Sequence, residues 1–294
     1  MYFGLYILFM EHLNPDKFNL MIKKRAENLI KDYSLIEKGD KIAIALSGGK
    51  DSILTLHLLK NFQKEMGFDM VAIAVDEGIK GYRKQGMEAA KSNAQSVGIE
   101  LIKKSLKTEM GFSLDEVYSY FKSACIPCGV FRRHILNKTA FEIGATKIAT
   151  GHNLDDEIQS FLMSFARGDM VKFSKFGPRL EVIHPRLIPR IKPLWNTPER
   201  EVGIWAVLNE IEVHFDECPY SELSLRAKTK DFLNRAESKK PGTKQAIMDS
   251  FIKSLNIDPG IIELKECQLC GEPSSSTLCK ACELKKLISE YKKT

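Results

Sequence analysis

Two adjacent glycines followed by a lysine and an aspartate form the clearest chemical motif of this chain, the sequence SGGKDS at Ser47–Ser52. It follows the apolar residues 42–46 and precedes apolar residues at helical spacing over 53–59. This order predicts a buried strand, a tight turn and a helix, which together aim backbone N–H groups at an anion. The spacing differs from Walker A, so terminal phosphoryl transfer is not the first interpretation. We predict a phosphate-binding loop, with a ligand-free helix-capping turn as the alternative.

A second polar run, GHNLDDE at Gly151–Glu157, follows the predicted strand 147–150. Asn153 suits the N-cap of a helix, and acids in the first turn complement the helix dipole, so a purely structural role would explain the run. In a parallel sheet, however, both motifs would lie at the carboxyl edge, where ligands bind. Carboxylates facing a phosphate loop are typical of a Mg²⁺ site, and we expect Asp51 and Asp156 to serve there.

The four C-terminal cysteines form two CxxC pairs, Cys267 with Cys270 and Cys279 with Cys282. Two such pairs can place four thiolates tetrahedrally, which is the pattern of a structural zinc site. Because the surrounding segment has almost no apolar core, we expect the metal to hold it together.

Three further cysteines are Cys125, Cys128 and Cys218, a CxxC pair and a distant Cys-Pro. Free cysteines are often buried and inert, and a CxxC pair can be redox-active, so these three need not bind a metal. A [4Fe-4S] cluster held by three thiolates would leave one iron open, where sulfide could bind. An odd number of cysteines without a secretory signal favours metal or redox chemistry in a reducing, cytoplasmic compartment over a disulfide framework.

Alternating apolar runs predict an α/β fold with a doubly wound, mainly parallel, Rossmann-like sheet. The expected strands cover residues 42–46, 70–75, 99–103 and 147–150, and the expected helices cover 15–38, 83–97, 113–124 and 197–209, the third of them broken at Cys125–Gly129 and then resumed. We divide the chain into an N-terminal arm and helix (1–38), a phosphate-loop domain with the three-cysteine site (39–220), a basic helical segment (221–262) and a zinc module (263–294).

The formal net charge is +6, and its position matters more than its sum. Residues 226–244 contain seven basic and two acidic side chains. Such a run is usually a solvated helix face, but together with the proline- and arginine-rich residues 177–198 it would suit a phosphate-backbone track. The apolar residues 1–10 are too few to span a bilayer, so we expect a packing or dimer arm and no membrane contact.

Five motifs in this order resemble the tRNA 2-thiolation enzymes of the PP-loop ATP pyrophosphatase superfamily. They are SGGKDS, CxxCG followed by Arg132 and Arg133, TGHNLDDE, Cys218-Pro219-Tyr220 and the C-terminal CxxC pairs. The C-terminal pairs make the chain similar to the TtuA and archaeal or eukaryotic cytosolic tRNA thiouridylase type within the TtcA/TtuA family.

The resemblance implies that O2 of a pyrimidine in tRNA, first of all uridine, is adenylated and then replaced by sulfur held at the cluster of Cys125, Cys128 and Cys218. It implies catalytic roles for these cysteines, Asp156 and Arg132. The implied ATP contacts are Ala45, Leu46, Ser47, Gly48, Gly49, Lys50, Asp51, Ser52, Ala74, Gly151 and Asp156. The implied cofactors and partners are ATP, Mg²⁺, a [4Fe-4S] cluster, Zn²⁺, tRNA and a sulfur donor, either sulfide or a ubiquitin-like sulfur carrier, in a homodimer.

Two features depart from the family pattern. Residues 1–12 contain no cysteine where TtuA-type members usually carry another zinc module, and Arg132 stands where the family often has lysine. An arginine stays charged, so it can stabilise developing negative charge but is not expected to pass a proton. The alternative functions are a PP-loop amidating or lysidine-type tRNA ligase, which needs no cysteine triad, and a metal-dependent RNA-binding regulator.

Overall fold

The computed structural model describes residues 13–169, 176–179, 184–221, 225–254 and 264–292. The expected apolar arm at residues 1–10 lies outside these ranges, as does part of the proline-rich connection.

Five parallel strands form the central sheet in the order β3-β2-β1-β4-β5. The strands are β1 (Lys41–Ala45), β2 (Asp69–Asp76), β3 (Leu101–Ser105), β4 (Lys147–Ala149) and β5 (Arg190–Ile191). The strand order reverses between β1 and β4, and ligands bind beyond the carboxyl ends of the strands at such a point. The expected doubly wound, mainly parallel α/β fold is confirmed.

Helices cover both faces of the sheet. They are α1 (Pro15–Asp32), α2 (Lys50–Met66), α3 (Arg83–Ser96), α4 (Leu106–Met110), α5 (Leu114–Val117), α6 (Cys125–Glu142), α7 (Leu154–Ala166), α8 (Glu199–Leu208), α9 (Leu225–Lys239), α10 (Thr243–Ser254) and α11 (Lys280–Tyr291). Along β1, Ile42 and Ile44 join the core of α1, α2, α3 and α8, whereas Ala43 joins the core of α4, α5, α6 and α11. No helix in the described parts of the chain is long and apolar enough to cross a membrane.

The structure corrects the expected helix over residues 113–124. Ser113 and Glu116 form a capping box on the single-turn α5, and Tyr118–Tyr120 form a 3-10 turn after it. The CxxC pair lies in the first turn of α6 rather than in a break between two helices. Pro127 fits there because the first N–H groups of a helix have no partner within it.

The helix expected over residues 15–38 ends earlier, at Asp32. Ser34 adopts a φ of 47°, and the Leu35 N–H donates to the carbonyl of Ile30 at 2.9 Å. This left-handed end terminates the helix in the manner of a Schellman motif.

The basic segment and the C-terminal module both pack on the phosphate-loop domain. Helices α9 and α10 cover α7 and bury Leu233 and Met248 in its core. The module is a hairpin of β6 (Lys265–Glu266) and β7 (Pro273–Ser274) followed by α11, whose Leu284 shares a core with α6.

Candidate active site

The loop between β1 and α2 is held by its own glycines and serines. Gly48 has a φ of +87°, a left-handed conformation that glycine adopts without strain. The Ser52 hydroxyl donates to the carbonyl of Gly49 at 2.9 Å and accepts the N–H of Ser47 at 3.1 Å. The loop thus leads directly into the first turn of α2, whose leading N–H groups have no partner within the helix.

The backbone of neighbouring segments packs closely against this loop. A Cβ on Gly48 would lie 1.8 Å from the carbonyl oxygen of Gly86 in α3, and a Cβ on Gly151 would lie 2.7 Å from the carbonyl carbon of Asp51. These glycines therefore let α3 and the turn after β4 pack directly on the loop, in addition to any role in admitting a phosphate.

We expect Gly48→Ala to disrupt the loop, because the added methyl group would overlap the Gly86 carbonyl. The variant should lose ATP binding, measured by titration calorimetry. Gly144→Ala is the matched control, since Gly144 is also left-handed, with a φ of +68°, but has open space around its Cβ position. That change should cost only about 1–2 kcal/mol of stability from backbone strain and keep ATP binding. Equal ATP affinity in Gly48→Ala and wild type would contradict the packing argument.

The remaining predicted nucleotide contacts surround this loop. Ala45 ends β1, and the Leu46 N–H donates to the carbonyl of Ile73 at 2.9 Å. Ala74 follows in β2 and is fully buried. With Gly151, these positions lie at the carboxyl edge of three neighbouring strands, as their proposed role requires.

Lys50, the first residue of α2, and Lys230 share one acid, Glu199 at the start of α8. Lys50 Nζ lies 2.9 Å from Asp51 Oδ2 and 3.0 Å from Glu199 Oε1. Lys230 Nζ, on α9, lies 3.0 Å from the same Glu199 oxygen. Burial alone would lower the pKa of Lys50, but Asp51 and Glu199 hold it above its ordinary value. Two cations are therefore placed beside the phosphate loop.

Asp156 lies in the first turn of α7, in the crevice beyond the carboxyl edge of the sheet. Asn153 caps that helix by accepting the Asp156 N–H at 3.0 Å, and its side-chain amide donates to Asp51 Oδ1 at 2.8 Å. Arg226 Nη1, from α9, lies 3.2 Å from Asp156 Oδ1. Burial raises the pKa of Asp156 to about 6, and Arg226 opposes the shift while Asp51 adds to it. A carboxyl group in this environment is stabilised by a bound cation.

The two acids next to Asp156 have structural roles. Asp155 accepts the N–H of Glu199 at 2.8 Å and pairs with Lys244. Glu157 is buried and lies 2.8 Å from Lys192 Nζ. Asp156 is therefore the member of the DDE run that faces the site. From the motif alone, helix capping remained a possible explanation for all three acids.

A chain of polar contacts links the phosphate loop to α6. Arg83 donates to the Ser47 carbonyl at 2.6 Å and lies 2.6 Å from one carboxylate oxygen of Glu77. The other Glu77 oxygen lies 3.3 Å from Arg132 Nη1. Arg83 and Glu77 are only 6% exposed, whereas the Arg132 side chain is 46% exposed. Arg132 can therefore contact a ligand while its orientation is set from the loop.

The three cysteines of the triad lie near Arg132. Cys125 is exposed, and Cys128 and Cys218 are half-buried. Burial raises the pKa of Cys128 to about 11, Arg132 opposes that shift, and charges on the other two cysteines add to it. The three thiols are thus close enough to affect one another's ionisation, and Arg132 lies among them.

The segment that carries Cys218 runs along the phosphate loop. The His214 N–H donates to the Gly48 carbonyl at 2.9 Å. The His214 ring packs on Tyr82 with 4.8 Å between ring centroids. The phosphate loop therefore anchors the segment that leads to Cys218.

The four C-terminal cysteines lie together, as the spacing predicted. Their sulfur atoms are all within 4.8 Å of one another, and no other such group of potential metal ligands occurs in the described residues. Glu272, between the two pairs, accepts a hydrogen bond from Asn137 of α6 at 3.0 Å. The module is thereby docked on the helix that carries Cys125 and Cys128.

Several site residues were not identified from the sequence. The sequence signal for Glu77 was its position directly after a predicted strand, whereas no sequence signal marked Glu199 as a site residue. Arg226 and Lys230 belonged to the run interpreted as an RNA track or a solvated face, and both instead pair with acids of the site.

A glycine loop between β1 and a helix of a parallel sheet, with a carboxylate from the turn after β4, defines a PP-loop nucleotide-binding domain. The family model described as a PP-loop domain matches residues 18–235.

The chain belongs to this family, among the tRNA 2-thiolation proteins. It is 33% identical to the tRNA 2-thiolation protein NcsA of Haloferax volcanii, over 93% of this chain and 92% of that protein. It is 34% identical to the tRNA-5-methyluridine(54) 2-sulfurtransferase of Pyrococcus horikoshii, over 95% and 90%. The solved structure of the U34-tRNA thiolase NcsA from Methanococcus maripaludis with its [4Fe-4S] cluster matches with a TM-score of 0.80 and 35% identity, covering 92% of this chain and 88% of that one.

Proposed function

We propose that this protein is an ATP-dependent tRNA sulfurtransferase that replaces O2 of a uridine with sulfur. The observation that carries the proposal is the contact chain Ser47–Arg83–Glu77–Arg132, which joins the phosphate loop to Arg132, one turn after Cys128 on α6. An adenylating loop and a sulfur site must act on the same base, and this arrangement brings them together.

The proposed chemistry has two displacements. The uridine O2 attacks the α-phosphorus of ATP, a phosphorus–oxygen bond forms, and pyrophosphate leaves. Sulfide sulfur then attacks C2, the C2–O2 bond breaks, and AMP leaves with the former O2. No electrons are exchanged. In the first step, Arg132 stabilises negative charge that develops near O2, because its guanidinium stays protonated.

The acids and cations at the loop are arranged to exchange partners on nucleotide binding. Lys50 and Lys230 pair with Glu199, and Arg226 pairs with Asp156. Asp51 and Asp156 are the residues that would hold Mg²⁺, which would supply charge neutralisation for the phosphates. The cations would then be free to bind phosphate oxygens.

Lys230→Met should therefore weaken ATP binding by on the order of tenfold, because a hydrogen bond to a charged group is worth about 1.5–3 kcal/mol. Lys228→Met, on the same helix but exposed, is the control and should keep ATP affinity. If the exposed lysines contact RNA, Lys228→Met should instead reduce the salt dependence of tRNA binding by about one unit of log-log slope. ATP titrations and tRNA binding at several salt concentrations measure both effects. Equal ATP affinity in Lys230→Met and wild type would contradict this role and favour the prediction that Lys230 contacts the RNA backbone.

Cys125, Cys128 and Cys218 would hold the iron–sulfur cluster. Three thiolates fit a [4Fe-4S] group, which would supply an open iron position for sulfide. The three sulfurs do not form a group within 4.8 Å in the described residues, whereas thiolates on one zinc ion, with Zn–S bonds of about 2.3 Å, lie roughly 3.8 Å apart. The three cysteines are therefore not placed as ligands of one zinc ion.

Cys267, Cys270, Cys279 and Cys282 would hold zinc as a structural metal. The sulfurs of Cys270 and Cys279 are 3.6 Å apart, which fits the roughly 3.8 Å expected of tetrahedral thiolates on zinc.

Pyrophosphate release and tRNA nucleoside analysis test the function. Purified, anaerobically reconstituted protein should release pyrophosphate and form 2-thiouridine only when ATP, tRNA and a sulfur source are all present. Amine-dependent turnover without sulfide would support the ligase alternative, and tRNA binding without turnover would support the regulator.

We further infer a cytoplasmic location, a homodimer, and sulfide or a ubiquitin-like sulfur carrier as donor. Relatives named cytoplasmic tRNA 2-thiolation protein 1, such as that of Xenopus laevis at 34% identity, support the location.

A further inference from the structure

His152 lies in the turn between β4 and α7, and the two residues beside it both approach the start of α2. A Cβ on Gly151 would lie 2.7 Å from the carbonyl carbon of Asp51, and the Asn153 amide donates to Asp51 Oδ1 at 2.8 Å. His152 itself is exposed to solvent. The turn therefore places an accessible imidazole beside the phosphate loop.

The hydrogen bonds of His152 indicate which ring nitrogen carries the proton. Nδ1 lies 2.8 Å from the Thr150 hydroxyl oxygen, and that hydroxyl donates to the carbonyl of Ile191 at 3.4 Å. A hydroxyl group has one proton, so the Thr150 oxygen accepts from Nδ1. Nδ1 is then the protonated nitrogen. Nε2 has no partner among the residues that the structure describes, and it keeps a free lone pair.

The imidazole is neutral at physiological pH. Desolvation, together with the charges of Lys192, Arg226 and other nearby cations, lowers the pKa of His152 to about 3. The phosphates of a bound nucleotide carry the opposite charge and would offset the effect of these cations. A neutral imidazole is the form that can accept a proton.

The proposed reaction needs a proton acceptor near the target base. When the uridine O2 attacks the α-phosphorus, the C2–O2 double-bond pair forms the new oxygen–phosphorus bond, and positive charge develops on the ring at N3–H. The ring becomes neutral when the N3–H pair forms an N3–C2 double bond and the proton leaves. The Arg132 guanidinium stays protonated, so it cannot take this proton.

We propose that His152 is a catalytic residue whose Nε2 takes the N3 proton of the target uridine during adenylation and returns it during sulfur transfer. In the second step sulfide forms a bond to C2, the N3–C2 double-bond pair returns to N3, and N3 takes the proton back from Nε2. The C2–O2 bond then breaks and AMP leaves. The product is 2-thiouridine with its N3–H, His152 is neutral again, and no electrons are exchanged.

The same contact distinguishes uridine from cytidine. Uridine N3–H donates to the Nε2 lone pair, whereas N3 of cytidine carries a lone pair of its own and cannot donate. The inference rests on the proposed function, to which it adds a proton acceptor and a reason for choosing uridine.

The first test compares His152→Asn with His152→Ala. Asparagine places an amide near the position of Nδ1 and can keep the Thr150 contact, but it offers no basic nitrogen. Both variants should keep ATP affinity, measured by titration calorimetry. Both should lose roughly 10²–10⁴-fold in the rate of pyrophosphate release with tRNA, the usual contribution of general base catalysis.

Imidazole in solution distinguishes a base from a structural histidine. It can enter the space that His152→Ala leaves and take the proton, so the rate of pyrophosphate release should rise with imidazole concentration. His184→Ala is the control, because His184 supports a turn by accepting the Arg186 N–H at 3.1 Å. The rate in this variant should not respond to imidazole.

A second arm measures binding and needs no turnover. A stem–loop RNA with a single loop uridine is compared with its cytidine counterpart in the presence of a non-hydrolysable ATP analogue. Wild type should bind the uridine RNA roughly tenfold more tightly, as expected of one hydrogen bond, and His152→Asn should bind the two RNAs equally.

Wild-type pyrophosphate release from His152→Asn, or a rate in His152→Ala that imidazole does not raise, would overturn the proposal and leave thiolation standing. Weakened ATP affinity in His152→Asn would assign His152 to nucleotide binding and would also overturn it. An equal preference for uridine in wild type and His152→Asn would contradict the N3–H contact. If the wild-type protein released no pyrophosphate with tRNA, the proposed function itself would fail.

Discussion

Asp156→Ala is expected to abolish adenylation while leaving tRNA binding close to wild type. Asp156 faces the phosphate loop, where a carboxylate that holds Mg²⁺ acts on charge developing in the transition state rather than on RNA docking. Loss of one such stabilising group costs roughly 10²–10³-fold in rate. Pyrophosphate release at saturating tRNA measures the effect, and filter binding measures tRNA affinity.

Asp156→Asn separates the metal role from the capping role. The Asp156 side chain also accepts the Asn153 N–H at 3.4 Å, and asparagine could keep that contact while losing the charge. Asp156→Asn should therefore remain folded but stay inactive. Wild-type pyrophosphate release from this variant would assign Asp156 to helix capping alone.

Asp155→Asn is the matched control on the neighbouring acid. Its partner Lys244 would remain buried without a counter-charge, which is expected to cost on the order of 3 kcal/mol of stability. The temperature of thermal unfolding should fall, yet adenylation below that temperature should persist.

Adenylation by the wild-type protein should weaken as the pH falls through about 6, the pKa that burial gives Asp156, because metal binding requires the ionised carboxylate.

Cys125→Ala, Cys128→Ala and Cys218→Ala are each expected to lose iron and thiolation together. If the three thiolates hold one [4Fe-4S] cluster, the reconstituted wild type should contain about four irons per chain, and each variant should contain far less. Zinc content is the internal control, since the C-terminal cysteines form a separate group. Cys125→Ala is the most informative variant because Cys125 is exposed and its loss disturbs packing least.

The rival mechanism is a persulfide carried by one cysteine and resolved by another as a disulfide. That mechanism needs no iron and should survive air. The cluster mechanism predicts that activity decays in air along with iron content, since an open iron is the easiest to lose. Full thiolation by iron-free, air-exposed protein would exclude the cluster, and the adenylation argument would still stand.

The motifs located most of the candidate site because they are local in sequence. SGGKDS directly after an apolar run is a strand-turn-helix whatever else the chain does, and two CxxC pairs bring four sulfurs together through short connections. The helix expected over residues 113–124 was wrong in its length. The capping box at Ser113 and Glu116 starts a helix there, but the chain continues as a 3-10 turn over Tyr118–Tyr120 and is extended at Phe121.

The sequence by itself determined the fold class, the phosphate loop, the grouping of the four C-terminal cysteines and, through family resemblance, the activity. Family resemblance already favoured Asp156 over Asp155, and the tertiary structure added the contacts that separate the two acids. Only the tertiary structure turned Arg226 and Lys230 inward and brought Glu77 and Glu199 into contact with cations of the site. These assignments depend on contacts between residues up to 149 positions apart, as in Lys50 with Glu199. Such pairs have no fixed spacing that a sequence pattern could record, because packing of whole helices and strands decides which charges meet.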